Sequence, residues 1–434
     1  MGHIAAKSTY EKLRRRLDKL PVGAPGRGVI YEILATLYTP EEAELGARMP
    51  LRFSSLGAIS RKLGIPEDSL QPRLEKMADK GLVLDMFIGG KMRYMITPTI
   101  VGFIEFSMMR VRDDIDQTHL AGLVHRYLLE EPDFANQFDP ASKTSLFRTL
   151  IHEDTLPENY AEVLDWERAS YLVENAGRWA VGLCYCRHVA HHRGEDCTKF
   201  RLESCMTIGA GADYCVRHNL AREIDKSEAL DLLSETREAG LVHLGDNVQR
   251  NPTFICNCCG CCCEVMLGFK KFSMFGDTFT SNFLARVDAD KCNGCKKCKK
   301  ACPVDAIDIS EKRRTLEGKK LRWLASVDPS ICLGCGVCAR ECKFEAMKMI
   351  PRERRKLTPL NTMTRVLSMA LEQGKLQDLL VDADDGLGAL AAGSLLGAIF
   401  KLPPAKQLLA RDEFRSRFIE FLASGAKKAG IKSI

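Results

Sequence analysis

The sequence predicts an α+β chain of several domains, and three observations carry that prediction. Near the start, two short helical runs are followed by a hairpin signal at Gly89-Gly90. In the middle, eleven cysteines between Cys184 and Cys263 surround a helix that leads into an extended run, a mixed α and β pattern. Beyond them one four-cysteine ladder is written twice, at Cys292, Cys295, Cys298, Cys302 and at Cys332, Cys335, Cys338, Cys342. A helical tail follows.

The 434 residues are 45% hydrophobic and 28% charged, which suits a globular protein of roughly two to four domains with a core of its own. Nineteen cysteines fall between Cys184 and Cys342, and the start MGHIAAKSTYEKLRRRLDKL is basic without an apolar export segment. Together these imply a reducing, cytoplasmic setting and metal ligation instead of a disulfide framework. The net charge of +6, from 63 basic and 57 acidic residues, demands neither nucleic acid nor anionic lipid.

Residues 1–27 form a basic leader with a turn-rich end. A domain over 28–106 opens with a helix near Val29. SSLGAISRKLGI and PEDSLQPRLEKMADKGL then give two helices, and LVLDMFIGGKMRYMITP gives a hairpin, because Gly-Gly supplies positive φ between apolar runs. This order resembles a winged helix-turn-helix domain. The helix that would read DNA carries Glu67, Asp68, Glu75 and Asp79 against Arg73, Lys76 and Lys80, one net negative charge where phosphates need neutralising. Pro72 also costs it a backbone donor. Dimerisation or docking is therefore favoured over DNA binding.

Residues 107–164 read as a mostly helical connector. In the cysteine-rich domain, 165–270, Asp165 is the expected N-cap of a helix through WERASYLVENAGRWAVG, striped by Ala169, Leu172, Val173 and Ala176, that delivers the chain to Cys184. A second helix, capped at Ser227 and ended by Gly240, folds the CNCCGCCC run (256–263) back onto the first cysteine group. Cys184 and Cys186 are two apart, so an extended backbone would aim both sulfurs to one face, with Cys197 and Cys205 completing four thiolates. That gives at least one additional [4Fe-4S] cluster, with Cys256, Cys258, Cys259 and Cys262 as further ligand candidates. Six cysteines in eight residues cannot all serve one cubane, since each iron takes one protein ligand. Structural zinc and inert thiols are the competing readings, and Cys215 is the expected bystander. Arg187, His188, His191, His192 and Arg193 read as a surface basic patch beside these sulfurs.

The duplicated spacing C-x2-C-x2-C-x3-C is that of [4Fe-4S] ligation. The repeat extends beyond the ligands, since RVDADKCNGCKKCKKACPVDAIDI aligns with SVDPSICLGCGVCARECKFEAMKM without a gap. Residues 286–350, within a domain spanning 271–350, resemble a bacterial-type two-cluster ferredoxin. The resemblance implies that Cys292, Cys295, Cys298 and Cys342 hold one cluster and that Cys332, Cys335, Cys338 and Cys302 hold the other. Lys343 stands where the first run has Pro303, and the long basic link SEKRRTLEGKKLRWLA predicts a hairpin around Glu317-Gly318. More loosely, residues 28–350 resemble multi-cluster iron–sulfur proteins of anaerobic prokaryotes, which implies an architecture but no reaction.

The tail, 351–434, contains a helix ending at Gly374, the charge-free run GLGALAAGSLLGAIF, which is short for a bilayer span, and a helix with Phe414, Phe418 and Leu422 on one face. A packed helix is favoured, with peripheral attachment to a membrane surface as the alternative. No dinucleotide loop is present, so neither a flavin nor an NAD site is expected. The expected function is single-electron transfer to or from a partner redox protein or oxidoreductase, with a homodimer through the N-terminal domain as a further partner reading. No catalytic residue is required. Two alternatives stand beside it: a redox-responsive regulator working through the winged helix, and a reductase whose active site is the 184–263 cysteine region.

Overall fold

The computed structural model describes residues 2–26, 28–138, 143–156, 163–272, 279–312, 322–356, 358–382, 387–402 and 412–428. The basic leader folds as a helix, α1 (Gly2–Asp18), and packs on the two that follow it, α2 (Val29–Leu37) and α3 (Pro40–Arg48). Leu13 and Leu17, one turn apart, are fully buried, so α1 belongs to the core of the N-terminal unit. Pro40 and a reciprocal Thr39–Glu42 capping box start α3.

Ser55 caps α4 (Leu56–Leu63), and α5 (Glu67–Asp79) runs unbroken through Pro72 with Leu70, Leu74 and Met77 buried. The hairpin of β1 (Val83–Ile88) and β2 (Lys91–Ile96) turns at Gly89 and Gly90, whose φ of 64° and 76° no β-branched residue would accept. The exposed side of α5 keeps Glu67, Asp68 and Glu75 beside Arg73 and Lys76.

Helices α6 (Ile104–Met108), α7 (Gln117–His125) and α8 (Pro132–Ala135) follow, but the 107–164 segment also supplies a strand, β3 (Phe147–Leu150), to a six-stranded antiparallel sheet. All four β3 residues are buried, so their pattern shows neither helical nor strand periodicity. Asp165 does not cap a long helix. After a single 3-10 turn, α9 (Ala169–Glu174) stops short, Gly177 turns at positive φ, and β4 (Trp179–Leu183) brings the chain to Cys184.

The rest of this unit is α10 (Tyr185–His192), β5 (Glu203–Ile208), α11 (Ala210–Arg217), β6 (Arg222–Ile224), α12 (Lys226–Glu238), β7 (Val242–Asp246), β8 (Phe254–Cys258) and α13 (Glu264–Phe272). The sheet order is β3-β7-β8-β5-β4-β6. Asp225, not Ser227, caps α12, accepting from the Glu228 amide at 2.8 Å. Ala229, Leu232 and Leu233 of α12 pack over Val181, Met206 and Ile255 on one sheet face.

The two-cysteine-run domain comprises β9 (Phe283–Val287), α14 (Lys297–Ala301), β10 (Ile307–Lys312), β11 (Arg322–Val327), α15 (Val337–Arg340) and β12 (Met347–Pro351), with β9 paired to β12 and β10 to β11. The hairpin tip expected at Glu317-Gly318 lies outside the described residues. The domain docks on the sheet unit: the His152 amide donates to the Cys335 carbonyl at 2.9 Å, and Arg340 pairs with Asp154 at 2.8 Å.

The tail helices are α16 (Thr362–Glu372), α17 (Leu376–Leu380), α18 (Leu387–Lys401) and α19 (Asp412–Lys428). Arg365 pairs with the fully buried Asp246 at 2.6 Å, and Arg16 of α1 reaches Asp382 at 2.7 Å, so the tail ties the sheet unit to the N-terminal unit. Among the described residues no helix is long and apolar enough to cross a membrane.

Candidate metal centres

Around the duplicated ladder, the thiols fall into two groups. Cys292, Cys295, Cys298 and Cys342 line one small cavity, walled by Val287, Ile309, Ala325 and Met347. Cys302 lies beside Cys332 and Cys335, and Cys338 faces all three. The loops that make this convergence have no room for side chains. At Gly294, φ is +73° and a Cβ would stand 2.4 Å from the Trp323 carbonyl oxygen; at Gly334, with the same φ, it would stand 2.2 Å from that of Phe283. Burial pushes the Cys298 and Cys302 thiols up and Cys335 up to about 12. Thiols so placed ionise only against a positive centre, which is what bound iron provides.

The cysteine-rich region divides differently from the sequence expectation. Cys184 and Cys186 do not lie on an extended backbone. Cys184 is extended, but α10 begins at Tyr185, and Cys197 is drawn away to the CNCCGCCC loop. Cys197, Cys259, Cys261 and Cys262 have all their sulfurs within 4.8 Å of one another; Cys197 lies 3.7 Å from Cys259 and 3.9 Å from Cys261, and Cys261 lies 3.5 Å from Cys262. A single tetrahedral ion with metal–sulfur bonds of about 2.3 Å requires sulfur–sulfur edges of about 3.8 Å. Four thiolates that each bind a separate iron of a cubane stand farther apart. The tetrad therefore has the spacing of one ion, and this donor set suits zinc or iron.

Arg187 holds the tetrad from beneath. It is 1% exposed, its Nε donates to Cys197 Sγ at 3.3 Å, and its Nη2 donates to the Asn257 carbonyl at 2.9 Å, with Nη1 on Ser204 Oγ. A hydrogen bond from Cys262 and the nearby Arg187 charge together hold the Cys259 thiol down at about 5 against the cost of burial. The expected surface basic patch is thus corrected at two positions: Arg187 is interior, and so is His188, whose Nδ1 lies 2.8 Å from the Met108 carbonyl. A Cys-x-Cys-Arg run read only for its charge conceals this, because a guanidinium can be buried where thiolates balance it.

The remaining candidates, Cys184, Cys186, Cys205, Cys256 and Cys258, line a cavity of about 620 Å³ between the sheet, α6 and the tail, together with Cys215, Cys259 and Cys263. Cys256 and Cys258 alternate on β8 and so share a face. Cys263 immediately precedes α13 and accepts from Cys186, from Cys258 and from the first amides of that helix, which lowers its pKa. Cys261 and Cys263 were not singled out from the sequence, where six crowded cysteines gave no basis for assigning faces. Cys215 is buried apart from the tetrad, and burial pushes its thiol up to about 12.

Glycine joins the two cysteine regions. A Cβ on Gly260, at the centre of the CNCCGCCC loop, would stand 2.7 Å from the carbonyl oxygen of Pro303, the residue after Cys302. Lys270 Nζ donates to the Gly260 carbonyl at 2.9 Å and fixes the same loop. No curated protein and no solved structure matches the chain. A family model described as a 4Fe-4S dicluster domain matches residues 291–346, the segment that contains both ladders, and so identifies that segment as iron–sulfur and ferredoxin-like.

Proposed function

We propose that the protein carries single electrons to or from a partner oxidoreductase, with one [4Fe-4S] cluster on Cys292, Cys295, Cys298 and Cys342 and a second on Cys332, Cys335, Cys338 and Cys302. The dicluster match and the cysteine tetrad suggest iron–sulfur electron transfer, and this reading makes that suggestion specific. When bound, such clusters take up and release one electron each. The chain's own residues bury most of the thiolates, fix their separation through the close-packed glycine loops, and line the Cys292 group with apolar side chains.

The observation that carries the reading is the contact of Gly260 with Pro303. It sets the cysteine-rich loop against Pro303, the residue after Cys302, so an electron path between the two regions needs no moving part. The tetrad supports this arrangement by holding the loop around one tetrahedral ion, zinc or iron. Cys295 is exposed, which provides an outward-facing point for exchange with the partner. The test is anaerobic purification of the full chain, reduction by dithionite and reoxidation by an artificial one-electron acceptor. The expected result is reversible electron uptake that Cys295→Ser and Cys335→Ser each impair. Protein that purifies without acid-labile sulfide under these conditions would sink the proposal.

A further inference from the structure

Seven thiols belong neither to the ladder nor to the tetrad, and six of them, all but Cys215, follow one another in a row. Neighbouring thiols follow one another from Cys184 to Cys186, Cys263, Cys258, Cys256 and Cys205, and all six line one cavity. They come from four places in the fold: the start of α10, strand β5, strand β8 and the residue before α13. Distant parts of the chain have therefore been folded to meet here. The pairing of β5 with β8 brings Cys205 beside Cys256, and the Glu264 amide donates to Cys186 Sγ at 3.4 Å across the junction of α10 and α13.

A buried cysteine is ordinarily a small apolar core residue, and Cys215, which lines the same cavity outside the row, fits that description. Six thiols side by side in the lining of a cavity of about 620 Å³ do not. The remainder of the lining is mainly apolar, with Phe106, Met109, Phe147, Leu244 and Phe254, and includes the charged side chains Glu105 and Arg365. A single ion is the wrong occupant. It would draw its sulfurs to about 3.8 Å apart, whereas among the described residues no three of these six have sulfurs all within 4.8 Å of one another. Several irons, each taking its own thiolate, spread their ligands along such a row.

We infer that Cys184, Cys186, Cys205, Cys256, Cys258 and Cys263 hold one polynuclear iron–sulfur cluster, separate from the ladder clusters and from the tetrad ion, with one side facing the apolar cavity. The inference deepens the iron–sulfur reading above and rests on it, and the following experiment separates the two. The full chain is reconstituted anaerobically with ferrous iron and sulfide, and iron, zinc and sulfide are counted alongside electron paramagnetic resonance. The variants are Cys186→Ser, Cys258→Ser, the double variant, and Cys215→Ala as a control.

The wild type is expected to hold at least about fourteen irons, because the ladder accounts for about eight and six thiolates on separate irons need about six more. Each single variant should lose the same increment of at least about six irons, and the double variant should lose no more than either single. Cys215→Ala should lose none. Persisting ladder signals and tetrad metal in the variants report that the fold survives. A wild type holding about eight irons with both ladder signals intact would overturn the inference, as would losses that add in the double variant, which would mean two sites. Missing ladder signals, with iron still bound through Cys186 and Cys258, would instead overturn the electron-transfer reading and sustain this site.

Discussion

Arg187 shows how one side chain organises the cysteine region. Its donors serve Cys197, Ser204 and Asn257, and it lies beside the Cys184 and Cys259 sulfurs that balance its charge. Replacing it with methionine leaves the Asn257 carbonyl without that donor and removes the cation that stabilises the neighbouring thiolates. Arg187→Met is expected to cost about 3 kcal/mol in denaturant unfolding and to release the tetrad ion, which metal analysis would detect. Retained metal and unchanged stability would remove Arg187 from this role. Gly260→Ala tests the neighbouring contact, because the new methyl would press on the Pro303 backbone, an obstacle that cannot rotate away. Slower electron uptake with undiminished iron is the expected result; an unchanged rate would argue against the path. At this scale the duplicated ladder was legible from its spacing, and the dicluster family model matches the same segment. Arg187, Cys261 and Cys263 were not, because burial and strand face depend on contacts between residues far apart in sequence.

The elements divide in the same way. Locally coded features, such as the Gly89-Gly90 hairpin, the Thr39 capping box and the apolar stripe of α12, can be read from a few neighbouring residues. Two expectations failed where local coding is weak. The stretch after Asp165 has helix-like spacing, yet Gly177 breaks it and β4 pairs between β5 and β6, so sheet formation overrides propensity. The same-face argument applied to Cys184 and Cys186 holds instead at Cys256 and Cys258, where the backbone is a strand. The α11 junction with β1 provides a pH test. Both His218 nitrogens lie 2.7 Å from carboxylates, Nδ1 from Asp79 and Nε2 from Asp85, and Asp85 also pairs with Arg217. Burial lowers the His218 pKa, but these hydrogen bonds outweigh it, so the folded value is raised above 6.5. The folded state then binds the proton more tightly than the unfolded state, so this stabilisation is complete below the unfolded value and is lost as pH rises through the folded one. The melting temperature should fall over that interval, and His218→Gln should flatten the fall; equal slopes in both proteins would contradict the assignment. Helix α5, with acidic residues on its exposed side, is expected not to retard genomic DNA fragments at low salt in either redox state, and clear retardation would revive the regulator reading.

At the scale of the whole molecule, the N-terminal unit, the sheet unit, the ladder domain and the tail are joined by specific polar contacts: Asp85 with Arg217, the His152 amide with the Cys335 carbonyl, and Asp382 with Arg16. None of these pairs is visible as a motif, since each partner is an ordinary charged or backbone group distant in sequence. What they accomplish is to hold the two cysteine regions in fixed contact, the basis of the electron-transfer account. The most direct test is a redox titration of the anaerobic full chain followed by electron paramagnetic resonance. The account predicts two one-electron [4Fe-4S] centres in the ladder domain, close enough to couple magnetically, with one lost in Cys295→Ser and the other in Cys335→Ser. A chain whose ladder cysteines bind zinc, or whose iron shows no reducible centre, would contradict it.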